Sequence, residues 1–307
     1  MPSADGPART GRLGAGCRVV CVGDVLLDIC ALLPGPLIRG SDTPAPVSYA
    51  HGGAAANTAA WLASLGVPCL FAGRVGDDAF GREAVAALRT HGAQVRISTD
   101  PVAPTGACLV LIDPDGERTM VPSAGANAAL GPADLGSDLL RAGDHLHLSG
   151  YTLLRDGSRA AAQYALELAG RTGASVWVDA ASAGPIRTVG AQRFLSWLPA
   201  GAVLLANTDE LAALTGTADP EPGIAALVAR GLDVVVKCGR GGSVLGTAAG
   251  LWRAPATQVE VLDSTGAGDA FAAGLLAAVC QGAGWETALI EGNRLGGLVV
   301  SRLGARP

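Results

Sequence analysis

Lysine is almost absent from this chain of 307 residues: Lys237 is the only one, and it stands in Val236-Lys237-Cys238. A Walker A loop needs Gly-Lys-Ser/Thr, so the P-loop NTPases are excluded. Charge is scarce altogether, at 16% of residues, and the formal net charge is −5. No basic run is long enough to track a phosphate backbone, which argues against nucleic acid as a partner. Aromatics make up only 4%, so Val, Leu and Ala have to fill the core. No apolar run reaches the roughly 18 residues of a membrane span. Residues 1–16 also lack the apolar stretch of a signal peptide, so a cytoplasmic protein without membrane contact is expected. The seven cysteines (17, 21, 30, 69, 108, 238 and 280) contain no C-x-x-C pair and mostly sit in apolar runs, which reads as reduced core thiols. His145-Leu146-His147 would put two rings on one strand face, but without a nearby Cys or a third His it does not make a metal site. Gly-x-Ser-x-Gly is missing too, and with it any argument for a Ser/His/Asp hydrolase.

What is abundant is glycine, 44 residues, with 18 prolines. Together they are about a fifth of the chain, below the range of low-complexity sequence and without a collagen period. A packed globular domain is expected over 17–307, preceded by a flexible extension at 1–16. Short β-branched runs alternate with Ala/Leu-rich helical segments. Arg18–Val22 precedes Ala54–Leu65, Cys69–Ala72 precedes Phe80–His91, and His145–Leu148 precedes Ser158–Ala169. The alternation continues through Ser175–Val178, Val203–Leu205, Thr208–Leu214, Ile224–Ala229, Val234–Lys237, Ala267–Cys280 and Thr287–Arg302. That order predicts an α/β fold, a largely parallel central sheet with helices on both faces. Two stretches break it, about 29–51 and 95–121. The second carries Asp113-Pro114-Asp115-Gly116 between Ala107–Ile112 and Arg118–Val121, a good hairpin turn. Both are inserted after a strand, on the ligand side of a parallel sheet, so they read as a small β-sheet lid; a plain edge hairpin is the alternative.

The densest run of small residues, Asp263-Ser264-Thr265-Gly266-Ala267-Gly268-Asp269, follows a strand-like Gln258–Leu262 and opens an apolar helix. Backbone N–H groups of Gly266, Ala267 and Gly268 at the positive end of a helix form an anion site. An acid placed in that site repels phosphate unless it has work to do. Accepting the proton of an attacking hydroxyl is such work, and it makes Asp269 a candidate general base. The helix terminus is expected to depress its pKa. The competing reading is a glycine turn with Asp269 as a helix-start residue.

Asn207-Thr208-Asp209-Glu210 has the spacing of a capping box and also places Glu210 where it can serve a water-coordinated Mg²⁺. Gly52-Gly53-Ala54-Ala55-Ala56-Asn57 opens a helix, either for close helix–sheet packing or to bring backbone and the Asn57 amide against a ligand. Asp24 and Asp28 leave the first strand, where two carboxylates could grip a polyol. Gly239-Arg240-Gly241-Gly242 fits a turn or a nucleotide approach, with Lys237 as charge partner.

In combination these stretches resemble the ribokinase-like (PfkB-type) family of carbohydrate and nucleoside kinases, over roughly residues 17–306. The D-S-T-G-A-G-D-A-F run is similar to that family's C-terminal signature and G-G-A-A-A-N to its N-terminal glycine motif. Gly76-Asp77-Asp78 with Gly81, Thr105-Gly106, Gly125-Ala126-Asn127, N-x-x-E at 207–210 and K-C-G at 237–239 fall in the family's order. The resemblance implies transfer of the ATP γ-phosphoryl group to a hydroxyl, usually primary, of a small sugar, sugar acid or nucleoside. Asp269 corresponds to the base and Gly266, Ala267 and Gly268 to the anion hole. Asp28, Gly52, Gly53 and Asn57 match the acceptor-binding positions. Asn207, Lys237, Gly239, Gly241, Gly242 and Asn293 match the nucleotide side, Glu210 the Mg²⁺ motif, and Asp263 with Thr265 a monovalent-cation (K⁺) loop of many members. It also implies a homodimer through the lid. Leu26, Ala54 and Ser149 stand where ribokinases usually carry polar side chains, which reduces polar contacts to a pentose, and Leu26-Leu27-Asp28 with the Lys237 motif looks closer to adenosine kinase or to 2-keto-3-deoxygluconate and fructose kinases; ribokinase proper and an adenosine-type nucleoside kinase both stay open. Outside the class, a dinucleotide oxidoreductase lacks its G-x-G-x-x-G after the first strand, and a non-catalytic sugar or nucleotide sensor has no need of both Asp269 and Glu210.

Overall fold

The computed structural model describes residues 17–115, 118–302 and 304–307; the expected extension at 1–16 lies outside them. The strands are β1 (Val19–Val22), β2 (Leu26–Leu32), β3 (Val47–Gly52), β4 (Cys69–Gly76), β5 (Gln94–Asp100), β6 (Gly106–Ile112), β7 (Arg118–Ser123), β8 (His145–Ser149), β9 (Ser175–Asp179), β10 (Val203–Asn207), β11 (Asp233–Lys237), β12 (Ser243–Thr247) and β13 (Gly250–Ala254). Nine of them form one sheet in the order β13-β12-β11-β10-β9-β8-β1-β4-β5, and β3-β2-β6-β7 form a second, smaller sheet. Pairing is parallel from β11 across to β5 and antiparallel only at β12 and β13.

A parallel sheet covered on both faces needs apolar residues at every position, because alternate side chains point to opposite layers. Val19 and Cys21 of β1 enter one core with the helices Ala54–Ser64, Ala267–Cys280 and Trp285–Val300. Val20 and Val22 enter the other, with Arg159–Thr172, Thr208–Thr215 and Pro220–Val228. The chain winds outward from β1 in one direction through β4 and β5, and from β8 in the other through β9, β10 and β11. The junction of β1 with β8 is therefore the topological switch point, and the carboxyl ends of the strands there are the expected ligand side.

The α/β class with a separate small sheet agrees with the sequence reading; three local expectations do not. Residues 94–100 form β5 at the edge of the large sheet, paired with β4, so the small sheet gains its second half only from Gly106 onward. Gln258–Leu262 is not a strand: Val261 and Leu262 are 48% and 62% exposed, and Leu262 N bonds only to Val300 O at 2.7 Å. Finally, Cys17 and Cys280 are joined by a disulfide with Cα atoms 5.6 Å apart. A ligand atom of His145 lies within 4.8 Å of the sulfurs, so the His145 strand does have cysteines for neighbours. The entry to β1 and the end of the helix Ala267–Cys280 meet at the edge of the sheet remote from the carboxyl ends. A sequence separation of 263 hides that meeting from local pattern.

Candidate active site

Three adjacent parallel strands deliver polar and charged side chains to one place. Asn207 ends β10 and Lys237 ends β11, directly paired, while Asp179 ends β9 one strand further in. Lys237 Nζ lies 2.8 Å from Asp179 Oδ2. Burial opposes the lysine's charge, but Asp179, Glu210 and Asp269 outweigh it and hold the ammonium firmly protonated. A methyl group on Gly268 would sit 3.1 Å from Lys237 Nζ, which puts the only lysine beside the glycine turn that opens the Ala267–Cys280 helix.

That turn depends on two glycine properties. Gly266 has φ +75°, and a side chain there would also meet Ala305 at 2.4 Å. The turn therefore brings the N–H groups of Gly266 and Gly268 to the start of a helix of fourteen residues, whereas Ala267 N donates to Ser264 O at 3.3 Å, and Asp269 stands in the first turn. Asp269 Oδ2 accepts from Asn57 Nδ2 at 2.9 Å. Removal from water pushes Asp269 up to about 7; Asn57 and Lys237 pull it down, while Asp179 and Asp28 push the same way as burial. The expectation of a depressed pKa is thus corrected. The helix terminus is outweighed by desolvation and by two neighbouring carboxylates, and the result is a carboxylate of near-neutral basicity.

Among the residues expected to bind the acceptor, Gly53 takes φ +96°, and a side chain on it would strike Asp24 O at 2.4 Å. A methyl on Gly52 would meet Asp28 Oδ2 at 2.2 Å. The glycine pair lets the start of the Ala54–Ser64 helix press against Asp24 and Val25 of the β1–β2 crossover, with the Asp28 carboxylate against Gly52 and with Gly52 O and Asn57 Oδ1 held by the same Arg306 guanidinium. Burial pushes Asp28 up to about 6, with Arg306 opposing and Asp263 adding to it. Asp24, in contrast, is 3% exposed and ion-paired with Arg155, so it does not share the gripping of a polyol.

Other motif residues hold the frame. Asn127 bonds to Val25 N and O at 3.1 and 2.9 Å and so clamps the crossover from β1 to β2. Asp78 accepts from Gly81 N, Thr105 N and Thr105 Oγ1 at 2.7–2.8 Å, tying the start of β6 to a helix cap. Glu210 and Asn207 form the reciprocal capping box, with Asn207 N on Glu210 Oε2 and Glu210 N on Asn207 Oδ1, both at 2.8 Å. Glu210 is only 4% exposed, and burial holds it up at about 6. It remains ionised at neutral pH, and each oxygen that accepts from Asn207 keeps a lone pair for a water on a divalent cation.

Among the residues expected to meet the nucleotide, Gly239 and Gly241 are exposed after β11, whereas Gly242 is buried against Ala254 O. Asn293 spends its Nδ2 on Ala254 O and Pro255 O at 3.1 and 3.0 Å, so it fastens the chain leaving β13. The side chains of the Asp263 loop are also engaged. Asp263 Oδ1 is 3.0 Å from Arg118 Nη1 and accepts from Thr265 N, and Oδ2 accepts from Gly304 N. Thr265 Oγ1 and Ser264 Oγ accept from the same guanidinium. A monovalent cation does not fit this arrangement, because Arg118 already supplies the positive charge that Asp263 would otherwise offer a cation.

Sequence reasoning missed Asp179, Arg118 and Arg306. Asp179 stands at a strand's carboxyl end, the rule that found Lys237, and the same rule would have found it. Arg118 and Arg306 reach the site across 146 and 249 residues, and no local signal marks them.

A parallel sheet with a switch point under a second small sheet, and an acid beside a glycine-opened helix, is the layout of a ribokinase-fold phosphotransferase. The pfkB family of carbohydrate kinases matches residues 18–307, and the chain belongs to that family. It is 35% identical to an ATP-dependent ribose-1-phosphate kinase of Halopiger xanaduensis, covering 94% of each chain. Among solved structures it is similar to the adenosine kinase of Sinorhizobium meliloti, with TM-score 0.85, 28% identity and 94% and 95% of the two chains covered. It is also similar to a double-mutant fructokinase of Vibrio cholerae O395 in fructose, ADP and potassium ion bound form, with TM-score 0.79, 27% identity and 94% of each chain covered.

Proposed function

We propose that this kinase transfers the γ-phosphoryl group of ATP to a hydroxyl of a small sugar or nucleoside, with Asp269 as the general base. The observation that carries this reading is the meeting of Asp269, Asn57 and Lys237 at the Gly266–Gly268 turn. The acceptor oxygen bonds to phosphorus as the bond to the ADP oxygen breaks, and the hydroxyl proton passes to an Asp269 oxygen. The N–H groups of Gly266 and Gly268 and the Lys237 ammonium face the charge that develops on the phosphoryl oxygens, while Ala267 N already donates to Ser264 O at 3.3 Å. Asp28 and the Gly52-Gly53 backbone orient the acceptor. Asn207 and Glu210 fit the support of a hydrated Mg²⁺, which supplies charge neutralisation to the nucleotide phosphates. With Asp263 taken by Arg118, no step is assigned to K⁺.

The test is ADP release measured over a panel of pentoses, hexoses, sugar acids, sugar phosphates and nucleosides. We expect one acceptor to stand about 10²-fold or more above the rest in kcat/KM, as polar-site discrimination allows. No ADP from any of them supports the sensor alternative instead.

The small sheet supports a second-copy partner. Register puts Ile29, Val47, Tyr49, Leu109 and Val121 on one face, opposite Asp28. Val47, Tyr49, Leu109 and Val121 are 66%, 69%, 40% and 56% exposed, a contiguous apolar face. We expect a dimer in sedimentation velocity and a monomer for Tyr49→Asp; an unchanged sedimentation coefficient counts against the lid as the interface.

A further inference from the structure

The last described residues are built into the site. Gly304 N donates to Asp263 Oδ2 at 3.2 Å, and the Trp61 indole donates to Ala305 O at 2.9 Å. Arg302 lies over the Trp61 ring at 4.7 Å, and Ala305 fills the space where Gly266 has no side chain. So anchored, the tail turns Arg306 inward. Its Nη2 donates to Gly52 O at 2.8 Å and its Nε to Asn57 Oδ1 at 3.0 Å. A guanidinium only donates, so it fixes which end of the Asn57 amide is oxygen. The amide then has to aim Nδ2 the other way, where it meets Asp269 Oδ2. Asn57 itself is 3% exposed, which leaves it no solvent alternative.

We propose that Arg306 is a positioning residue for the base: it locks the Asn57 amide with its NH₂ toward Asp269 and holds a positive charge beside the Asp269 carboxylate. The proposal rests on Asp269 being the base. The charged groups that face Asp269 are Asp28 from β2, Asp179 from β9, Lys237 from β11 and Arg306 from the tail. Lys237 is committed to Asp179 at 2.8 Å. Among the described residues Arg306 forms no ion pair within 4 Å, so its charge acts on Asp28 and Asp269 together. Burial lowers Arg306 to about 10, and it stays protonated at neutral pH.

The experiment is kcat against pH at saturating ATP and acceptor for wild type, Arg306→Met, Arg306→Gln and Arg306→Lys. Loss of a neighbouring positive charge raises a carboxyl pKa. For Met and Gln the acid limb should therefore move up by about one pH unit, with kcat down ~10- to 100-fold and KM for ATP within about threefold. Lys keeps the charge but not the planar fork, so its limb should stay within a few tenths of wild type while kcat falls part of the way. The shift should persist in an Asp28→Asn background, which separates Asp269 from its neighbour. Melting curves of the three variants report folding independently, and the Gln enzyme carries the test against Lys if the Met enzyme is unstable. An unmoved limb in both Met and Gln, or an equal move in Lys, overturns the proposal. Near-normal turnover by Asp269→Asn overturns instead the base reading beneath it.

Discussion

Asp269→Asn should lower kcat by about 10³-fold, within the range that a positioned general base contributes, while KM for ATP changes by no more than a few-fold. The amide keeps the shape of the carboxylate and still reaches Asn57, but it cannot take the hydroxyl proton. The wild-type rate should itself rise about tenfold per pH unit up to a limb near 7, because only ionised Asp269 accepts that proton. A loss of less than tenfold would remove Asp269 from the reaction.

The same substitution should stabilise the fold at pH 8. Asp269 has a folded pKa raised from its ordinary value to about 7, so its ionisation is harder in the protein than in the unfolded chain. The folded state holds the proton more tightly, and the wild type therefore loses stability as pH rises from about 4 to 7, with the full cost present above 7. Asparagine never pays it. The variant should melt several degrees higher than wild type at pH 8 and level with it near pH 4. A gain independent of pH would mean that packing, not charge, is responsible.

Much of this site is legible because it is local. Asp269, Glu210, Lys237 and Asn57 each follow a strand or open a helix within a run of small residues, and the β-α alternation places such positions on the ligand side of a parallel sheet. The hairpin Asp113-Pro114-Asp115-Gly116 likewise announced β6 and β7, although Gly116 falls outside the described residues. What escaped depends on the closed fold. The hairpin places Arg118 at the start of β7 but says nothing of its target, Arg306 has no pattern around it, and their partners Asp263 and Asn57 lie far off in sequence. The basicity of Asp269 was misjudged for the same reason: the helix terminus is visible in sequence, whereas the enclosing protein and the approach of Asp28 and Asp179 are not. β12 and β13 are not marked in the sequence because Ser243–Thr247 and Gly250–Ala254 are short and the Ala248-Ala249 between them carries no turn residue.

Lys237→Met should cost both stability and turnover, and a second substitution should return only the first. Asp179 is 8% exposed and accepts from Ala181 N at 2.9 Å as well as from Lys237. Removing the ammonium leaves that carboxylate enclosed without a cation, next to Glu210 and Asp269. Breaking a buried pair from one side costs about 3–5 kcal/mol, and the modest opening of this pair to solvent argues for the lower end. Turnover should fall by about 10²-fold or more, because the phosphoryl oxygens lose the cation beside Gly268. Asp269 also loses the neighbour that pulls its pKa down, so its acid limb should move to higher pH. In Asp179→Asn/Lys237→Met the stranded charge is gone. Removing both members of a buried pair is close to neutral, so the double variant should recover most of the lost stability in urea unfolding. It should recover none of the activity, since the cation at the glycine turn is still absent. A single Lys237→Met enzyme as stable as wild type would show that Asp179 finds solvent instead. A double variant that regains turnover would show that the lysine serves the frame alone, and the developing charge would then fall to the backbone N–H groups.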